Sequence, residues 1–301
     1  MSKEGQLENL PRQAVTKALV IFVLVTAILS LLASKLVIDI GLKRHYMVML
    51  MWTPGIGALV ACKLSGIGVG SLGWSWGRSR WQLSAYLLPL VYGLIAYGIL
   101  WGGGLGGVLD TKFIEEAGYH LGLVGWSETA TLMMAIFIFA VVGMTWHLAS
   151  ALGEEIGWRG FLTPALMRYM SFPFASLLTG LMWAAWHLPI ILFTKYNAGP
   201  GDMGLQVANF ALLCVGISFI MSYLRLVSGS LWTAAVMHAA HNIFILSLLD
   251  RMTIKYDDTW RFAGEFGFIL PLVVAAFALY VWRRAHKEGF CAGPGERKVE
   301  A

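Results

Sequence analysis

Glu154, Glu155 and Arg159 stand together in the stretch 153–160, GEEIGWRG, at the end of a long apolar run. Charged groups this close to a bilayer core are costly, and their presence there marks function by default. A helix turns about 100° per residue, so Glu155 and Arg159, four apart with the acid first, share a face and can pair. Glu154 points about 100° away from Glu155. The economical reading is that Arg159 holds Glu155 while Glu154 stays available as an acid or base. The bland alternative is an interfacial Glu/Arg pair that marks the membrane boundary. Gly153, Gly157 and Gly160 thin the helix and let a neighbour pack close.

Two other apolar runs carry polar groups. LMWAAWHLP puts Trp183 and His187 on one helix face. A lone histidine there is most simply a neutral ring satisfied by a carbonyl, and Pro189 frees the carbonyl of Ala185 for that part. VMHAAHNIF puts His238 and Asn242 on one face, with His241 about 60° round from His238. Polar residues in mid-helix can simply glue helices together. Three helices that each bring an ionisable or amide group inward are harder to explain as glue.

Converging, these groups suit amide hydrolysis by water. Glu154 with His187 would hold and deprotonate a water molecule, and His238 with Asn242 would donate hydrogen bonds to the oxyanion of the tetrahedral intermediate. No Ser or Cys nucleophile stands beside a base: Cys214 has no motif around it and Ser150 is generic. Zinc has potential ligands in His187, His238, His241 and the glutamates, but HExxH is absent and His238 and His241 are three apart. Metal-free chemistry without a cofactor is the expectation.

The elements that must position these groups follow from composition. With 58% hydrophobic and 13% charged residues and a mean hydropathy of +0.69, the chain belongs in lipid. A span needs about 20 mainly apolar residues, and eight segments qualify: 14–38, 46–62, 83–101, 129–152, 174–194, 205–224, 231–249 and 266–282. The expectation is therefore an all-α, polytopic membrane helical bundle, one domain over 1–301, with a motif-bearing core at 129–249 and a tail at 283–301. Lys3, Arg12 and Lys17 before the first run resemble a signal-peptide start, but the run is too long and lacks a small-residue cleavage site. Pro54, Pro89, Pro189 and Pro271 should kink their helices rather than break them. The long connections are 71–80 and the Gly-rich 102–128.

The net charge of +5 fits basic cytoplasmic loops and gives no support to nucleic-acid binding. With the N-terminus cytoplasmic, the larger share of the 22 Lys and Arg residues falls on that side, which predicts cytoplasmic termini and motif. Cys62, Cys214 and Cys291 are far apart and suggest neither a disulfide nor a metal knuckle.

GEEIGWRG resembles the EExxxR motif, WAAWH the F/WxxxH motif and HAAHN the HxxxN motif of the CAAX prenyl endopeptidase and bacteriocin-processing (CPBP, or Abi) family. All three occur in family order between Glu154 and Asn242, about the central third of the chain. The resemblance implies an eight-helix intramembrane endopeptidase of the glutamate type in the plasma (inner) membrane, acting on a peptide or lipidated protein. It assigns water activation to Glu154 and His187, the oxyanion hole to His238 and Asn242, and support to Glu155 and Arg159. Trp183, where some members carry Phe, would line the substrate path. A non-catalytic immunity or interaction protein of the same fold is the alternative. A proton-coupled transporter also uses intramembrane Glu and His, but the repeated halves of a transporter are absent.

One geometric requirement follows. Glu154 lies past the end of the fourth segment, about 20 Å along a helix from its centre. That helix must therefore be longer, tilted and continuous through Arg159, with Glu154 in a water-filled cavity and its carboxylate near the His187 ring.

Overall fold

The computed structural model describes residues 10–293. Among them, eight helices are long and apolar enough to cross a bilayer. In chain order the helices are α1 Arg12–Ile40, α2 Arg44–Leu64, α3 Ser79–Gly102, a short α4 Thr111–His120, α5 Glu128–Leu166, α6 Phe172–Thr194, α7 Met203–Ser228, α8 Leu231–Leu249 and α9 Ile269–Lys287. The all-α membrane bundle read from composition is the observed architecture. Its boundaries lie a few residues outside most of the apolar runs, because helices continue into the polar zone where charged ends such as Arg12, Glu128 and Lys287 meet water.

The Gly-rich connection 102–128 is not a plain loop. Asp110 accepts a hydrogen bond from the backbone N–H of Lys112 at 3.0 Å and starts α4. Phe113, Ile114 and Ala117 then lie on one face and pack against Ala135, Phe244 and Leu248. Beside it, Gly107–Val108 pairs antiparallel with Thr253–Ile254 and ties the connection to the far end of α8.

Pro54, Pro89 and Pro189 sit inside continuous helices, as expected. Pro271 does not. The last helix starts at Ile269, so Pro271 lies in its first turn, where an N–H has no partner to lose. Residues 266–268 are connection rather than span, and the helix reaches Lys287, well into the expected tail. The rest of that tail beyond 293, like Lys3, lies outside the described residues.

The fourth span is the long one required of it. α5 covers 39 residues and continues through Arg159. Within it, 138–142 and 156–162 adopt the wider π geometry, and α8 changes to π geometry at Asn242. Such turns widen the helix locally and recur at functional sites. The motif carboxylates end the regular part of α5 directly before one of them.

α5 crosses α2 at its glycines. A Cβ on Gly153 would meet Trp52 Cγ at 2.7 Å, and one on Gly157 would meet Pro54 Cβ at 2.5 Å and its carbonyl carbon at 2.6 Å. Backbone cannot yield as a side chain can, so small residues one turn apart set this close crossing. Gly157→Ala is expected to destabilise the protein by about 1–3 kcal/mol, the usual cost of overpacking. Thermal unfolding in detergent checks it, and a wild-type midpoint would show that the crossing has slack.

Candidate active site

The ionic centre is buried. Glu154 is 1% exposed, and Glu155 and Arg159 are inaccessible. Arg159 Nη1 donates to Glu155 Oε1 at 2.9 Å and to Oε2 at 3.1 Å. The same Oε1 accepts from His238 Nδ1 at 2.9 Å. Glu155 thus joins α5 to α8. The Arg159 guanidinium carbon lies 4.5 Å from the ring centre of Trp183 on α6, which keeps its charge over an electron-rich face. One ion pair therefore touches three helices.

Glu154 leaves that network in another direction, as helical geometry requires of a neighbouring residue. Its Oε2 accepts from Trp183 Nε1 at 2.7 Å. Trp183 was expected as a wall of the substrate path; its indole N–H also fixes the carboxylate. A charge-assisted bond of this length is among the stronger hydrogen bonds a protein makes.

His187, one turn beyond Trp183, pairs its Nδ1 with the Trp183 carbonyl at 2.9 Å. The sequence pointed to the Ala185 carbonyl instead. That carbonyl is freed by Pro189 but lies only two residues before His187, whereas the ring reaches back one full turn. A carbonyl only accepts, so Nδ1 carries the hydrogen and the neutral ring has its lone pair on Nε2. Trp186 and Phe210 pack edge-on against the ring, with centroids 4.6 and 5.1 Å away. Its orientation is fixed.

Glu154, Trp183, His187, His238 and Asn242 all line one cavity. Its space for water centres is about 30 Å³, enough for water and too little for a peptide chain. Glu154 is hydrogen-bonded to a ring whose centroid lies 5.9 Å from that of His187. The structure therefore brings the three motif segments to one water-sized chamber. Among the described residues, no three His, Cys, Asp or Glu side chains are grouped as ligands for one metal ion.

Two groups facing this chamber were not singled out from sequence. Glu265 comes from the connection before α9, and His241, considered from sequence only as a weak zinc ligand and for its angle to His238, contacts it. Glu265 had a readable signal, a carboxylate at the very edge of an apolar run. Tyr92, which holds the other side of His241, had none that set it apart from the other tyrosines.

Comparison with known proteins bears on the same segment. Residues 129–244 match the family model of Rce1-like type II CAAX prenyl endopeptidases. A stretch of 136 residues is 30% identical to a protein of Methanococcus maripaludis named CAAX prenyl protease 2, covering 44% of this chain and 47% of that protein. The chain thus spans about half the length of the curated relative it matches. All three motifs fall inside the family match, while Tyr92 and Glu265 fall outside it.

Proposed function

We propose that this chain, whose segment 129–244 matches Rce1-like type II CAAX prenyl endopeptidases, is a metal-free intramembrane endopeptidase of the CPBP family whose water is activated by Glu154 and His187. The observation that carries this reading is the Trp183-held carboxylate of Glu154, lining one water-sized chamber with His187, His238 and Asn242. A family match alone would name the class; the chamber is what supports this reading of the mechanism.

Water in the chamber donates one hydrogen to Nε2 of His187, which the Nδ1 bond leaves as the accepting nitrogen, and gives its proton to Glu154. The resulting hydroxide adds to the scissile carbonyl. The oxygen that becomes negative is met by Asn242 and by His238. Because His238 Nδ1 is turned to Glu155, donation from Nε2 requires both ring nitrogens to carry hydrogen, and Glu155 is the countercharge for that form. Arg159 and Glu155 are positioning residues in this scheme. They hold His238 in place.

The substrate is an apolar or lipidated peptide entering from the bilayer, cut near the cytoplasmic leaflet with both chain termini cytoplasmic. The excess of Lys and Arg on that side supports the orientation. The test is a quantitative comparison of membrane proteomes from cells carrying the wild type or Glu154→Ala. Specific uncleaved precursors are expected to accumulate with Glu154→Ala, and they identify the substrate. Identical peptide profiles would overturn the peptidase reading. Activity lost to a chelator and regained only with zinc would overturn the metal-free mechanism.

A further inference from the structure

The chamber contains a second carboxylate that the water-activation scheme leaves without a task. Glu265 lines it with a side chain that is 10% exposed, and its Oε1 lies 3.2 Å from Nε2 of His241. On the other side of that ring, Nδ1 lies 2.6 Å from the hydroxyl of Tyr92, which is fully buried in α3. The hydroxyl has no other acceptor among the described residues, so it donates to Nδ1. Nε2 then carries the hydrogen that goes to Glu265. The tautomer is fixed from outside the chamber, and one oxygen of Glu265 is engaged while the other remains for the chamber.

The backbone around Glu265 is built to keep it there. Gly264 has φ +72°, a left-handed turn that a side chain disfavours, and turns the chain inward. Asn209 of α7 donates to the Phe266 carbonyl at 3.0 Å, and Phe266 stacks on Phe210 at 4.9 Å. A carboxylate pinned on both flanks and aimed into a membrane-embedded chamber is costly unless it is used.

We propose that Glu265 is a second catalytic carboxyl, which protonates the departing amine nitrogen, and that His241 and Tyr92 are its positioning residues. This rests on the peptidase reading and adds a group outside the family's matched segment. Glu154 takes a proton from water as the carbon–oxygen bond forms. When the carbon–nitrogen bond breaks, its electron pair stays on nitrogen, which takes the proton from Glu265. Glu154 returns its proton to Glu265 through chamber water. The sum is one water and one amide giving one acid and one amine. Two carboxyls with opposite tasks in one site are a recurrent solution to acid–base chemistry.

The test uses the full-length protein in detergent, an S-farnesyl CAAX peptide, and a phenyl-ester analogue with the same acyl part. An amine needs a proton in order to leave, whereas a phenolate does not. Glu265→Gln should lower kcat on the peptide by at least about tenfold with KM little changed, and leave ester hydrolysis within about twofold. Tyr92→Phe should show a smaller loss with the same peptide-only pattern. Equal losses on peptide and ester in both variants, or no loss on either, would overturn the role of Glu265 while Glu154-dependent cleavage stands. Absence of any Glu154-dependent cleavage by the wild type would overturn the peptidase reading and this inference together.

Discussion

Glu154→Gln is expected to lower kcat by about 10²- to 10⁴-fold, the share general acid–base groups usually contribute, while thermal unfolding stays near that of the wild type. The substitution is chosen for what it keeps. A glutamine carbonyl can still accept the Trp183 Nε1–H bond, which is 2.7 Å long in the native site, and the side-chain volume is almost unchanged. Only the basicity is lost. KM should move little, because in the proposed mechanism Glu154 acts on water and not on the peptide. Steady-state kinetics on the peptide reporter, run beside a melting curve, check both halves. Turnover within threefold of the wild type would remove Glu154 as the base.

Arg159→Met should give the largest loss of stability. It leaves Glu155 inaccessible to water and supported only by His238. Removing one partner of a buried pair typically costs about 3–5 kcal/mol, because the remaining charge is neither hydrated nor compensated. The variant also loses the contact of the guanidinium with the Trp183 face. The double variant Glu155→Gln with Arg159→Met should recover much of the loss, since no unpaired charge is left behind. Denaturant unfolding in detergent measures all three proteins. A double variant as weak as Arg159→Met would show that packing and not charge set the cost.

The eight spans were readable because a bilayer enforces the same rule on each: an apolar run of sufficient length with its backbone satisfied internally. The pairing of Glu155 with Arg159 was readable for a similar reason, because four-residue spacing on a helix leaves few other partners. The π turns after Glu155 and from Asn242 were not. They depend on how two helices meet, and no composition signals them. α4 was hidden by the glycines around it, although Phe113, Ile114 and Ala117 carried the pattern of a buried face. Glu265 was missed because a connection, not a span, delivers it. Its position depends on Gly264 and on the reach of Asn209 across from α7.

The size of the chamber bears on selectivity before any bond is touched. A space of about 30 Å³ has room for water but not for a peptide beside the proposed hydrolytic groups. Under the proposed function a chain must widen that space to enter, and its apolar length lying along the bundle would supply the free energy. The same proposal expects peptides in the aqueous phase, which lack such a length, to be turned away whatever their sequence at the cut. For the proposed peptidase, the bilayer would act as the first filter and recognition of residues as the second.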